Sequence, residues 1–182
     1  MSCSRFHPIS SLFGRFSKSE NGSATVEFAI IFPAVVTVML SGIELGFATL
    51  QHSMLERALD ISVREIRLGT GTAPQHDEIK DMICDYAAFI DNCSDNLRLE
   101  MIQMDPDNWV AVSDDVDCTD QSEEVAPVRS FVNGLENELM ILRACVKIDP
   151  VFPTTGLGKD LKMDGAGQYA LVSYSAFVQE PK

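Results

Sequence analysis

Residues 22–43, GSATVEFAIIFPAVVTVMLSGI, place one carboxylate at the head of an apolar run of membrane length. No charged side chain occurs from Phe28 to Ile43, and beyond Glu44 the apolar character continues to Leu50. At about 1.5 Å per helical residue, Phe28 to Leu50 reach about 34 Å, which spans a bilayer core. A transmembrane helix at about 28–50 is therefore predicted.

Glu27 is the residue to explain first, because a charge in such a segment costs roughly 2.5–3.5 kcal/mol on insertion scales. Gly22 lies five residues before it, and cleavage after Gly22 frees the α-amine of Ser23, one helical turn from the carboxylate. In an assembly, the amine of one subunit could meet the Glu27 of its neighbour, and paired charges in a low dielectric also fix register. The alternative is a glutamate that is solvated at headgroup level.

The charges are divided by this run. Residues 1–22 carry a net charge of +2, whereas the remainder carries −15. Basic residues just before an apolar run favour a cytoplasmic N-terminus, so the acidic bulk is expected on the far side of the membrane. Its acidity argues against nucleic acid and against anionic membrane surfaces as partners.

One cysteine, Cys3, lies in the basic leader, and the other four follow the apolar run: Cys84, Cys93, Cys118 and Cys145. An even number in an exported region indicates two disulfides formed in an oxidising compartment. Four cysteines allow three pairings, and the sequence alone does not choose. We prefer the sequential pairing, Cys84–Cys93 and Cys118–Cys145, over free thiols; a zinc site is disfavoured because no CxxC spacing occurs.

The helical pattern continues from Ser23 to about Leu68. Its first half is apolar all round, as in lipid, and Pro33 is expected to kink it by removing a backbone hydrogen bond. The second half is amphipathic, with one apolar stripe and one charged face. The stripe comprises Leu55, Leu59, Ser62 and Ile66, and the charged face comprises Arg57, Asp60, Arg64 and Arg67. Residues 69–74, rich in glycine and threonine, end the helix.

The rest of the chain predicts a short helix at 77–90 and several strands. The strand candidates are 97–101, 109–112, 138–149 and 168–179, with loops at 114–124 and 154–167. The fold class is therefore α+β: a long N-terminal transmembrane helix continues into an amphipathic half that packs on a small, mostly antiparallel sheet. Three regions follow from this: a leader at 1–22, the helix at 23–68 and an exported α+β domain at 77–182.

The stretch from Gly22 to Phe28 resembles the type IV prepilin processing signal, and residues 20–70 are similar to the TadE-like pseudopilins of the tight-adherence (Flp) pilus system. The resembling features are Val26-Glu27-Phe28 at the entry, Pro33 early in the helix, Gly42-Ile43-Glu44 near its end and the Arg-bearing continuation. The remainder is similar only in outline.

The resemblance implies a pilin-like minor pseudopilin that supports pilus biogenesis and surface adhesion. It implies a single-pass protein of the bacterial inner membrane, with a cytoplasmic N-terminus and a periplasmic C-terminal domain, processed after Gly22 and either incorporated into the pilus or left at its base. Its processing residues are Gly22, Ser23, Glu27 and Phe28. The implied partners are the prepilin peptidase, other pseudopilins, the major pilin and the inner-membrane assembly platform, with no cofactor.

Other interpretations remain open. The chain could be an unprocessed, anchored periplasmic scaffold or binding protein, or a secreted protein cut after Ala48.

Catalysis has no support, because the sequence lacks a G-x-S-x-G elbow, a Gly-rich phosphate loop and an H-E-x-x-H motif. The aspartates of the acidic loop, Asp114, Asp115, Asp117 and Asp120, do not follow the EF-hand pattern and predict a solvated loop rather than a metal site. Glu44 either marks the outer interface of the span or pairs with a partner helix.

Overall fold

The computed structural model describes residues 23–68, 74–112, 116, 118, 131 and 133–181. The leader at 1–22, including Gly22, and the four aspartates of the acidic loop lie outside the described residues. The chain divides into two compact units, Met1–Met39 and Leu40–Lys182.

The expected long helix, α1, runs from Ser23 to Leu68. Pro33 lies inside it, and the hydroxyl of Thr37 donates a hydrogen bond to the Pro33 carbonyl oxygen at 2.8 Å. In helices with apolar surroundings, Ser and Thr hydroxyls commonly donate a hydrogen bond to the carbonyl of the preceding turn. The kink at Pro33 stays a prediction.

The second unit contains the remaining elements. They are α2 (His76–Tyr86), α3 (Cys93–Asn96), β1 (Arg98–Met104), β2 (Leu139–Ile148), α4 (Gly156–Asp160) and β3 (Tyr169–Val178). The strands form one antiparallel sheet in the order β1-β2-β3. The predicted α+β class is therefore confirmed, with β2 as its central strand.

Three local predictions are wrong. Residues 109–112 form no strand: Trp109 and Val110 are 63% and 67% exposed, and no strand among the described residues pairs with them. The short helix ends at Tyr86 rather than Ile90, where the Ala87 N–H bonds the Ile83 carbonyl. A short helix, α4, also lies within the segment predicted as a loop at 154–167.

The early end of α2 has a covalent cause. Cys84 and Cys93 are disulfide-bonded, with their Cα atoms 5.6 Å apart. Nine residues of uninterrupted helix would separate them by about 13 Å, beyond the reach of a disulfide. The chain therefore turns back through Asn92, which adopts a left-handed conformation (φ 48°).

The core of the second unit lies between α1, α2 and one face of the sheet. The predicted stripe of α1 is buried, at 0–6% exposure for Leu55, Leu59, Ser62 and Ile66, while the opposite charged face is exposed. The buried Ser62 hydroxyl donates a hydrogen bond to the Ala58 carbonyl oxygen at 2.9 Å. The packing of the amphipathic half against the sheet thus follows from its periodicity. The core partners on the sheet include Met101, Met140, Leu142, Val146, Tyr169 and Phe177.

The central strand β2 is buried on both faces, which explains its nearly continuous apolar sequence. On the face away from α1, the Arg143 guanidinium is 7% exposed and donates through Nε to Glu100 on β1 at 3.0 Å. On that same face, Cys145 is bonded to Cys118, with Cα atoms 5.5 Å apart. Both disulfides therefore have the preferred sequential pairing.

Candidate assembly helix and its membrane boundary

The N-terminal half of α1 presents apolar side chains in every direction. Phe28 is 63% exposed, Ile30 71% and Val38 73%, and all residues from Ala24 to Val35 are exposed. Among the described residues, α1 is the one helix long and apolar enough to cross a membrane. Bare apolar surface of this extent must be covered by lipid or by other apolar helices.

Glu27 lies in this bare half, and its side chain is exposed. The part of the chain that the structure describes supplies no hydrogen bond or ion pair to its carboxylate. Its helical neighbour Phe28 stacks on Phe32 with ring centroids 5.0 Å apart. Of the four predicted processing residues, Ser23, Glu27 and Phe28 lie in the first two turns of α1, whereas Gly22 precedes the described residues.

Glu44, by contrast, is 1% exposed. Its carboxylate accepts hydrogen bonds from the backbone N–H of Val151 at 3.0 Å and of Phe152 at 2.8 Å. One turn earlier on α1, the Ser41 hydroxyl oxygen accepts the backbone N–H of Leu157 at 3.1 Å. These three bonds attach the β2–β3 connection to α1. We call residues 150–157 the clasp loop.

The clasp loop reaches the carboxylate because its backbone is tightly folded. Pro150 and Pro153 flank the two donors, and the Thr155 N–H bonds the Phe152 carbonyl at 3.3 Å. Gly158, in α4, lies against that carbonyl, where an added Cβ would collide with the oxygen and would stand 3.5 Å from Glu44 Oε2. A close approach of this kind admits only glycine.

The Glu44 carboxylate also lies close enough to Tyr169 to act on its hydroxyl. Burial raises the pKa of the nearby Tyr169 hydroxyl, and the negative charge of Glu44 raises it further. A buried carboxylate is tolerated when N–H groups satisfy it, which the two loop amides do. Glu44 is therefore bound within its own chain, a role that neither of the two sequence interpretations assigned to it.

Sequence reasoning missed the clasp loop as a partner. The sequence did contain one indication: Glu44 is a carboxylate among apolar helical residues, and such a carboxylate needs hydrogen-bond donors. The donors are backbone amides more than one hundred positions away, and no side-chain pattern identifies them.

The described residues contain no group of three His, Cys, Asp or Glu side chains placed to hold a metal ion. An open cleft of about 350 Å³ lies between α1 and β3, where Arg67 pairs with Glu180 at 3.2 Å. Both of these side chains are about half exposed, so the pair contributes little to stability. The apolar half of α1 is therefore the strongest candidate for a functional surface.

Residues 22–64 match the family model described as TadE-like protein. The match begins at the predicted cleavage glycine and covers Glu27, Pro33 and Glu44. Neither the curated proteins nor the solved structures include a match to the chain. The family match and the apolar helix indicate a single-pass membrane protein associated with a pilus system. Over residues 22–64, therefore, the chain is similar to the TadE-like proteins of the tight-adherence system.

Proposed function

We propose that this protein is a minor pseudopilin of a tight-adherence pilus, inserted in the bacterial inner membrane with its sheet domain in the periplasm. The observation that carries the proposal is the exposed apolar half of α1 with Glu27 near its start, within a segment that matches the TadE-like family. A helix of this kind serves equally as a membrane anchor before assembly and as a packing surface against other pilin helices afterwards.

In this proposal the prepilin peptidase cuts after Gly22. The new α-amine of Ser23 then lies four residues, or about 6 Å of helix, from Glu27. The carboxylate of one subunit pairs with the α-amine of a neighbour, because a lone charge in an apolar assembly is costly and a paired one is tolerated. The periplasmic domain contributes to biogenesis and, through the pilus, to surface adhesion.

Processing is tested by the intact mass and the N-terminal sequence of the protein extracted from membranes without reducing agent. The expected chain starts at Ser23 and contains two disulfides. Replacement of Gly22 by a bulkier residue should retain the leader, which adds about 2 kDa at roughly 110 Da per residue. A native chain that starts at Met1 would favour an unprocessed anchored scaffold, and one that starts after Ala48 would favour a secreted protein.

The assembly role of Glu27 is tested with Glu27→Ala and Glu27→Gln. Both should be cleaved normally, yet both should lose co-purification with the other pilins and reduce piliation, because neither retains the charge that pairs with the amine. Glu65→Ala is the matched control, since Glu65 is an exposed glutamate farther along the same helix. Normal piliation and unchanged co-purification in the Glu27 variants would contradict the proposed pairing of Glu27 with the α-amine.

A further inference from the structure

We propose that the clasp loop is a second membrane contact of this protein, immersed in the headgroup region at the outer end of the span. The inference rests on the membrane anchor and not on the pilus role. It concerns the loop joining β2 to β3, which the sequence describes only as a connection between two strands.

The first step is the position of the loop along α1. The loop is bound to Ser41 and Glu44 through the amides of Leu157, Val151 and Phe152. Counted from Phe28, where the predicted span begins, Ser41 and Glu44 lie about 20 and 24 Å along the helix, in the outer third of a bilayer core about 30 Å thick. The loop is therefore attached near the outer end of the predicted span.

The second step is what the attachment does to Glu44. An isolated carboxylate at this level would normally mark the end of the apolar surface, because it needs water. Here it is 1% exposed and its oxygens are bound by backbone amides. The side chains that remain exposed around it are apolar: Ile43 at 39%, Phe47 at 48% and Val151 at 48%. Because the loop amides bind and cover the Glu44 carboxylate, the protein surface at this level is apolar and not charged.

The third step is the chemistry of the loop tip. The sequence Pro150-Val151-Phe152-Pro153 contains no charged side chain, and Val151 and Pro153 are exposed. Exposed charged residues of both signs flank it: Asp149 precedes it, and Lys159, Asp160 and Lys162 follow it. An apolar tip flanked by charged residues fits the boundary between acyl chains and phosphate headgroups, where apolar groups insert by about 5–10 Å. Lipid is therefore the occupant that we assign to this surface.

The experiment places a tryptophan at the tip in the full-length chain. Trp109 is the one native tryptophan, so Val151→Trp and the control Tyr174→Trp are each made on a Trp109→Phe background. Tyr174 is 74% exposed and lies on β3, away from the clasp loop. The proteins are reconstituted into phosphatidylcholine vesicles whose acyl chains are brominated near the headgroup, and vesicle flotation is recorded for each.

The expected result is loss of fluorescence at position 151 with brominated lipid, together with protection from aqueous iodide, and the opposite pattern at position 174. Quenching of both positions by iodide alone would overturn the lipid contact while leaving the anchor intact. Protection of position 151 from both quenchers would also overturn it, since a second copy of the chain would then cover the loop. Failure of the protein to float would overturn the anchor and the loop contact together.

A tryptophan at 151 can itself disturb the loop, which near-ultraviolet circular dichroism detects. Thr154→Trp then carries the same test, because Thr154 is exposed three residues farther along the same loop. The same pattern of quenching is expected there, and iodide quenching without bromine quenching would again overturn the proposal.

Discussion

Glu27 and Glu44 are both carboxylates on α1 within residues 22–64, the segment that matches the TadE-like family model, but their environments in the fold are opposite. Glu44 is buried and bound by two backbone amides of the clasp loop, whereas Glu27 is exposed and receives no hydrogen bond from the described part of the chain. The difference indicates that one carboxylate is used by the fold and that the other is available to a partner.

The largest expected effect is that of Glu44→Ala on stability. Removal of the carboxylate leaves the amides of Val151 and Phe152 without their acceptor, and it detaches the loop from α1. We expect the free energy of unfolding to fall by about 2–4 kcal/mol, in line with the loss of hydrogen bonds to a charged group. Urea unfolding of the full chain in detergent, followed by near-ultraviolet circular dichroism, measures this.

The matched control for that experiment is Glu27→Ala on the same helix. Its effect on the free energy of unfolding should stay within about 0.5 kcal/mol, as for an exposed site without partners in the fold. Glu44→Gln should fall between the two, because the amide keeps one acceptor oxygen. Equal losses at positions 27 and 44 would contradict the division of roles.

A somewhat smaller effect is expected from Gly158→Ala. The added Cβ collides with the Phe152 carbonyl and pushes the loop away from Glu44. We expect a loss of about 1–3 kcal/mol, the usual range for overpacking. Gly42→Ala is the control: nothing lies within 4 Å of a Cβ there, and alanine in a helix should be neutral or stabilising. An unaffected Gly158→Ala protein would mean that the loop tolerates displacement.

The smallest effect concerns a third carboxylate, Asp164, which lies outside α1 but is bound in the manner of Glu44. It accepts the Gln168 amide at 2.9 Å and pairs with Lys147 at 2.9 Å. Burial acts to raise its pKa, but these hydrogen bonds and the lysine charge outweigh burial and lower it below the usual aspartate range. The folded state therefore binds fewer protons than the unfolded chain around pH 4.

It follows that Asp164 stabilises the fold above its unfolded pKa and that this contribution is lost as the pH falls through the folded pKa. Asp164→Asn should lower the free energy of unfolding by about 1–2 kcal/mol at neutral pH and should flatten its dependence on pH below about 4. Unfolding measured from pH 3 to pH 7 checks this, with the exposed Asp81→Asn as control. A variant that keeps the acidic slope of the native chain would assign that slope to other groups.

Much of the architecture could be predicted from local pattern. The burial of Leu55, Leu59 and Ile66 follows from spacings of four and three, because those spacings place side chains on one helical face. The burial of Tyr169 and Phe177 follows equally from the alternation along β3. The order of the strands and the antiparallel pairing also agree with the expected class.

Two of the three errors arose where a segment depends on a contact outside itself. Residues 109–112 have strand-like side chains, but strand formation needs a pairing edge, and the described part of the chain offers none to this segment. The helix predicted to continue to Ile90 is stopped by the disulfide between Cys84 and Cys93. In both places a propensity of the local sequence was overridden by a constraint from outside the segment.

Sequence periodicity predicts the long helix, its apolar and amphipathic halves and the small sheet, because 3.6-residue and two-residue periodicities arise from the backbone geometry of each element. The role of Glu44 follows only from how the chain packs, since its donors lie 107 and 108 positions away and are backbone amides that every sequence carries. Side-chain pattern encodes which face of an element is buried. It does not encode which loop amides reach a buried carboxylate, because that depends on how the connected elements pack.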